Sequence, residues 1–357
     1  MSLDQATIRD LLRGYVDALS GADGAVLSKA IGIDGGRVLV ELELPYPAQS
    51  RHLDIEREVQ RLLERAPGAI AATVRVRSRA LSHQVRDGLA PMSGVRNILA
   101  IASGKGGVGK STTAINLAMA LQREGARVGV IDADIYGPSV PRMLGLHGKP
   151  ESPDGKSILP MRAHGLQTMS IGCLIDEDAP MIWRGPMVTQ ALMQLLNDTA
   201  WQDLDYLIVD LPPGTGDIQL TLCQKVPLTA AIIVTTPQDI ALLDARKALR
   251  MFQKVDVPVL GIVENMAIHI CSNCGHAEHI FGEGGGQRMA EQYDVALLGS
   301  LPLDRRIREQ ADGGEPMVLV EPESEVAMRY GDIARKMTAL LSKLPRNKLL
   351  INSGLLA

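Results

Sequence analysis

Two short stretches of this chain carry residues whose types and spacing can do chemistry. Residues 104–111 read GKGGVGKS, which meets the phosphate-binding spacing G-x-x-x-x-G-K-[ST] at every fixed position. Gly106, Gly107 and Gly109 reach backbone angles closed to other residues. Their N–H groups, with a helix N-terminus behind them, form a cradle for phosphate oxygens. Lys110 is expected at the β and γ phosphates and Ser111 on Mg²⁺. Lys105 follows the first glycine, where the template asks for nothing. A second lysine points to a nucleotide neutralised from two sides, two subunits being one way to do so. The other stretch is Cys271-Ser272-Asn273-Cys274, within HICSNCGHAEH. A C-x-x-C turn brings two thiolates to one metal centre.

The surroundings of the glycine loop are those such a loop requires. Asn97 to Ala102 is a short apolar run that suits a buried strand, and Thr112 to Gln122 places Ala114, Leu117, Ala118 and Leu121 at helical spacing. Further along, Arg127 to Ile131 reads as a strand ending in Asp132-Ala133-Asp134. Carboxylates at a strand's carboxyl end sit where α/β sheets bind ligands. Leu204 to Val209 ends in Asp210, the usual second-sphere Mg²⁺ position, and is followed by LPPGTG and Asp217. Val259 to Val263 leads into Glu264-Asn265-Met266, and an asparagine there can pair with a base edge. Any one of these acidic residues alone equally suits helix capping. Beside the loop, Asp134 and Asp210 read as functional.

Two thiolates complete neither a zinc site nor an iron–sulfur cluster. The chain has 4 cysteines, and Cys173 and Cys223 lie in the apolar settings SIGCLI and LTLCQK, as small buried hydrophobes do. The simplest completion is a two-fold dimer in which each chain gives Cys271 and Cys274 to a bridging 4Fe–4S cluster. Spacing alone leaves two others open: half a zinc knuckle completed by His276 or His279, and a redox dithiol.

Composition bounds the rest. Four cysteines in 357 residues are too few for a disulfide scaffold and fit a reducing compartment. No apolar run approaches transmembrane length and no signal peptide precedes the first helix, so the expected location is the cytoplasm. A net charge of −4 without a basic run counts against nucleic acid. The tail RNKLLINSGLLA lacks the basic amphipathic character of a membrane anchor. With 46% hydrophobic but only 3% aromatic residues, the core must be aliphatic.

The elements that must position these groups fall into two units. Residues 1–85 show a helical pattern at Ile8, Leu11, Leu12, Tyr15, Val16 and Leu19, a strand alternation at Val38, Val40, Leu42 and Leu44, a helix at Leu53, Val59, Leu62 and Leu63, and a strand over Ala72 to Val76. That is a small α+β domain of helix–strand–strand–helix–strand order. Residues 86–96 read as a linker, 97–345 as the ATPase domain and 346–357 as a tail. Strands are expected near 97–102, 127–132, 205–210, 230–235, 259–264 and 296–301, alternating with helices. The implied class is α/β: a mostly parallel sheet covered on both faces, preceded by the α+β domain. The glycine cluster Gly282 to Gly286 lacks a Lys-Ser ending and reads as a flexible loop.

KGGVGKS with its extra lysine resembles the deviant Walker A ATPases, the group containing MinD, ParA and the nitrogenase iron protein. DADIYGPS at 132–139, DLPPGTGD at 210–217, TTPQ at 235–238 and ENM at 264–266 narrow the resemblance to the Mrp (ApbC) branch of iron–sulfur cluster carriers, over about residues 95–345. The resemblance implies that Lys105 crosses a dimer interface to the partner's nucleotide, that Asp134 positions the attacking water and that Asn265 contacts adenine. It implies an ATP site on Gly104, Lys105, Gly106, Gly107, Val108, Gly109, Lys110, Ser111, Thr112, Asp210 and Asn265, and Lys105, Lys110 and Asp134 as the catalytic set. Mg²⁺ would rest on Ser111. It favours an iron–sulfur cluster, bridging a homodimer at Cys271 and Cys274, over zinc. The partners implied are an iron–sulfur scaffold and recipient apoproteins, with neither nucleic acid nor membrane. The N-terminal unit resembles the small domain preceding many bacterial Mrp ATPases. Some relatives of that domain have a cysteine after the strand that here ends at Pro45; this chain has Tyr46-Pro47-Ala48-Gln49. The domain is therefore left with partner docking or with no role that its residues resolve. The competing functions are a positioning ATPase of the MinD or ParA kind and a zinc-stabilised nucleotide-binding regulator.

Overall fold

In the computed structural model, residues 3–174 and 185–347 are described. The expectation of an apolar tail at 346–357 falls, from residue 348 on, outside them. The first unit contains helices α1 (Gln5–Leu12), α2 (Gly24–Leu27) and α3 (His52–Leu63) and strands β1 (Ser28–Asp34), β2 (Arg37–Leu44) and β3 (Ala71–Ser78). β2 is central, antiparallel to β1 and parallel to β3. Val38, Val40, Leu42 and Leu44 alternate inward from β2, onto Ile8, Leu12, Ile55, Val59 and Leu63 of the helices. The first helical pattern overreaches. α1 stops at Leu12, and beyond it Asp17, only 4% exposed, accepts hydrogen bonds from the Ser20 N–H, the Ser20 hydroxyl and the Tyr46 hydroxyl. A buried carboxylate needs such donors, and that turn displaces the helix from Tyr15, Val16 and Leu19.

The second unit continues with β4 (Val95–Ala102), α4 (Lys110–Arg123), β5 (Val128–Asp132), α5 (Val140–Met143), β6 (Met161–Ala163), β7 (Leu166–Ser170), α6 (Gly185–Asp198), β8 (Leu204–Asp210), α7 (Asp217–Lys225), β9 (Ala230–Thr235), α8 (Asp239–Lys254), β10 (Val259–Glu264), a hairpin of β11 (His269–Ile270) and β12 (Ala277–Glu278), α9 (Gly285–Tyr293), β13 (Ala296–Ser300), α10 (Arg305–Asp312), α11 (Met317–Val320) and α12 (Glu325–Leu341). Among the described residues eight strands form one sheet in the order β13-β10-β9-β4-β8-β5-β7-β6. All pairs are parallel except β6 with β7. Alternation along β4 sends Leu99 and Ile101 to one face, under α4 and α12, and Ile98, Ala100 and Ala102 to the other, under α6 to α9. The six expected strands are present, and β6 and β7 extend the sheet beyond them. No helix among the described residues is long and apolar enough to cross a membrane.

The two units meet at the far end of α4. Glu124, its C-cap, is 4% exposed; it accepts from the Ser50 N–H at 3.0 Å and the Ser50 hydroxyl at 2.7 Å and pairs with Arg335 of α12.

Candidate functional site

The carboxyl ends of β4, β5, β8, β9 and β10 lie side by side, and the loops leaving them carry the polar residues singled out above. Asp132 and Asp210 are register partners at the ends of β5 and β8. The glycine loop leaves β4 and enters α4 at Lys110. Gly107 and Gly109 take φ of +80° and +81°, where only glycine is at ease. Gly104 is required for another reason: a Cβ there would stand 2.1 Å from the Asp244 carbonyl carbon, because α8 packs its backbone against the start of the loop. α4 has no side-chain cap at its first turn. Its leading N–H groups and the positive end of its dipole therefore face the cradle.

Lys110 is 6% exposed, and its Nζ lies 2.5 Å from Asp210 Oδ1 and 3.2 Å from Ser111 Oγ. Asp210 is fully buried, and among the described residues its Oδ2 has no hydrogen-bond partner. A buried orphan carboxylate oxygen and the Ser111 hydroxyl, both reached from Lys110, are oxygen donors of the kind a hydrated Mg²⁺ takes, so these residues fit the ion. Asp132, also fully buried, accepts the Asp134 and Val140 N–H groups, each at 3.1 Å, and the Ser170 hydroxyl at 3.2 Å. Burial, and then the charge of Asp210, push its carboxyl up to about 7. Burial raises Asp134 as well, opposed by the charge of Lys110. Asp134 is thus half-buried within the field of Lys110, at the start of a loop pinned by Asp132. Asp217 stands exposed in the first turn of α7, where a carboxylate complements the helix dipole.

Lys105 Nζ reaches the Gln238 carbonyl Oε1 at 3.5 Å, at the start of α8. Asn265, 8% exposed, gives its Nδ2 to the Val108 carbonyl at 2.9 Å and so braces the loop from beneath. That contact joins residues 157 positions apart and has no counterpart in local sequence spacing.

Cys271 and Cys274 occupy the turn of the β11–β12 hairpin, closed by the Cys271 N–H to the His276 carbonyl at 2.9 Å and the Gly275 N–H to the Cys271 carbonyl at 2.8 Å. Cys274 is exposed and Cys271 partly so. The N–H groups of Asn273 and Cys274 hold the Cys271 thiol below its ordinary range, with smaller help from the Cys274 thiol and His269. Cys173 and Cys223 are the buried hydrophobes expected, their thiols pushed up to about 11 and about 12 by burial. The histidines do not join the cysteines. Nδ1 of His279 bonds the Ala267 carbonyl at 2.7 Å and Nδ1 of His269 the Leu303 carbonyl at 3.1 Å. Among the described residues no three His, Cys, Asp or Glu converge as a metal site. Cys271 also borders a cleft of about 450 Å³ walled by Pro302 to Arg306 and Arg329, which the sequence did not announce.

Only Gly282 to Gly284 of the glycine cluster lie in a loop; its last two glycines do not. Gly285 and Gly286 are buried in the first turn of α9, where a Cβ would stand 2.7 Å from the Pro237 carbonyl oxygen or 3.0 Å from Glu264 Cβ. Glu264, 4% exposed, accepts the Gly286 N–H at 2.6 Å. Glycine is needed there for close packing, not for mobility.

A glycine cradle between strand and helix, with a lysine and strand-end aspartates at the carboxyl edge of a parallel sheet, defines a P-loop nucleoside triphosphatase. Residues 94–338 match the family model of ParA, the NUBPL iron-transfer P-loop NTPases, and the chain belongs to this family. It is 56% identical over 278 residues to an iron-sulfur cluster carrier protein of Pseudomonas fragi, covering 77% of this chain and 97% of that one. It is 52% identical over 303 residues to the protein of that name from Escherichia coli K12, covering 85% and 82%. It is 48% identical over 257 residues to the iron-sulfur cluster transfer protein NUBPL of Mus musculus, covering 71% and 81%. Among solved structures, an Archaeoglobus fulgidus nucleotide-binding protein in complex with ADP superimposes with a TM-score of 0.57 at 36% identity, over 65% of this chain and 90% of that one. The cell division ATPase MinD of Pyrococcus furiosus, at 0.51 and 23% over 68% and 99%, shares the fold.

Proposed function

We propose that the chain is an ATP-hydrolysing iron–sulfur cluster carrier that works as a homodimer and passes its cluster to apoproteins. The observation that carries this reading is the hairpin. It presents two thiols to solvent, one of them acidified, in a chain of an iron-transfer family. Two thiolates are half a ligand set for a 4Fe–4S cargo, and a second copy supplies the other half. A second copy also has a surface to meet. Ile240 and Leu243 are exposed on the first turns of α8, beside the loop of Lys105, and Ile270 and Ile280 flank the cysteines. Burying such side chains favours association.

At the nucleotide, Gly104 to Thr112 bind the phosphates and Lys110 leaves Asp210 for the β and γ oxygens. Ser111 and Asp210 would hold Mg²⁺, which when bound would supply positive charge to those oxygens. Lys105 of the partner subunit neutralises the same phosphates from the other side. Asp134 orients the attacking water, and Asn265 meets the adenine.

Anaerobic reconstitution with iron and sulfide tests the carrier. The expected result is thiolate-to-iron absorption on a dimer, lost in Cys271→Ala and in Cys274→Ala. Absorption that survives both replacements, or zinc in place of iron in freshly isolated protein, overturns the reading.

A further inference from the structure

The brace under the phosphate loop is also the root of the thiol hairpin. Asn265 follows the last residue of β10 and is fixed there by its N–H to the Thr235 carbonyl at 2.7 Å. Its Nδ2 holds the Val108 carbonyl, between the two left-handed glycines of the loop. The fit is close, since a Cβ on Gly109 would stand 2.2 Å from Asn265 Nδ2. Met266 then takes φ of +57°, a left-handed conformation that a non-glycine residue adopts at a cost. Ala267 donates to the Leu301 carbonyl at 2.9 Å, and Leu303 donates to the Ile268 carbonyl at 2.8 Å. β11 begins at His269, and Cys271 follows it directly. On the returning arm, His279 bonds the Ala267 carbonyl. Both arms of the hairpin are thus fastened to the few residues that start at Asn265.

We propose that Asn265 is a positioning residue that couples phosphate in the loop to the exposure of Cys271 and Cys274. Phosphate draws the loop N–H groups onto its oxygens, which reorients the peptide units that include the Val108 carbonyl. The Asn265 amide follows that carbonyl, and the strained turn at Met266 passes the shift to Ala267 and the hairpin. This coupling needs only phosphate, whereas an adenine contact needs a base. It rests on the reading that Cys271 and Cys274 are the cargo ligands, but its test needs no metal.

Metal-free protein is alkylated with iodoacetamide, and the rates at Cys271 and Cys274 are followed by mass spectrometry. The additions are none, Mg²⁺ with inorganic tripolyphosphate, and Mg²⁺ with ATP. Measurement at two widely separated protein concentrations separates shielding by a second copy from a change within one chain. In the parent, tripolyphosphate is expected to change the rate on the order of fivefold, the low end of ordinary site-to-site coupling. In Asn265→Asp, which keeps the shape but loses the donor, and in Asn265→Ala, the ratio should fall to near one while calorimetry still registers tripolyphosphate. A parental ratio in both variants overturns the proposal. So does a parent indifferent to tripolyphosphate, or variants that lose only the response to ATP, which would leave Asn265 an adenine contact alone. Each of these outcomes is independent of whether iron binds, so the carrier reading stands or falls separately.

Discussion

The nucleotide loop and the thiol hairpin are built on opposite plans. At the loop, charge is buried and already compensated: Lys110 sits on Asp210, Asp210 lies beside Asp132, and Asp132 is held by two backbone N–H groups and a hydroxyl. At the hairpin, two thiols stand in solvent at the tip of two two-residue strands, with no third ligand among the described residues. The first site is preorganised and one chain makes nearly all of it. On the proposed reading, the second is half a site whose remainder arrives from a second copy. A buried charge array that lost a partner would cost several kcal/mol, so the loop has to be self-sufficient. An exposed thiol pair costs little to leave unfilled, which suits a site that must be loaded and emptied.

The sharpest way to break this contrast is to remove the lysine at its centre. Lys110→Ala takes away the charge proposed to meet the β and γ phosphates and should lower ATP turnover by roughly 10² to 10³-fold, as the loss of a preorganised electrostatic group does. It also leaves Asp210 buried without a counter-charge, at a cost of about 3–5 kcal/mol unless the carboxyl takes up a proton. Iron reconstituted onto Cys271 and Cys274 should be retained at the parental level. ATP turnover by steady-state assay and iron by elemental analysis check the two halves. Loss of both together would show that the sites are not separable.

Lys105 tests the contrast from the other side, because it is the part of the loop that one chain leaves unused. Among the described residues its ammonium meets a single carbonyl oxygen at 3.5 Å, where Lys110 has a carboxylate at 2.5 Å. Lys105→Ala should therefore reduce turnover by roughly tenfold or more while ATP affinity changes by less, since a contact made only in the transition state appears in kcat. Turnover and equilibrium binding measured on one preparation decide it. An equal loss in both would make Lys105 an ordinary loop residue and remove it from the proposed dimer.

What was legible in the sequence follows the same division. The glycine loop could be read because its parts are contiguous: strand, turn and helix lie within residues 95–123. The strand-end aspartates were legible because each closes an apolar run. β7 was not, because its signal is hidden. Gln167, Thr168 and Ser170 are all buried, with Gln167 bonded to the Gln202 backbone and Ser170 to Asp132, so a strand of the interior reads as polar. The glycines at 285 and 286 read as a loop because the demand for them comes from Pro237 and Glu264, residues distant in sequence. The brace from Asn265 to Val108 is the extreme case. Asparagine at a strand end announces some polar contact, but only the folded sheet shows that the contact is the loop itself.

The smallest effect should appear in the buried acid pair, and its sign is fixed by the direction of the shift. Asp132 is raised from 3.8 to about 7 in the folded chain, by burial and then by Asp210. The folded state therefore holds this proton more tightly than the unfolded one. Stability from this group is full below about 3.8 and declines as pH rises through about 7, where the carboxyl ionises next to Asp210. Asp132→Asn keeps an acceptor for the Asp134 N–H but cannot ionise, so its stability should lack that decline. Its amide also turns a donor toward the Val140 N–H, which costs about 1–3 kcal/mol at every pH. Denaturant melts of the nucleotide-free proteins at pH 5 and pH 8 should show the parent losing stability between the two while the variant does not, so that the variant gains on the parent as pH rises. A gap of constant width would mean that Asp132 is ionised throughout. The buried charge at this end of the sheet would then be compensated as a carboxylate pair around Lys110, and the loop would approach its nucleotide with one more negative charge than the protonated acid allows.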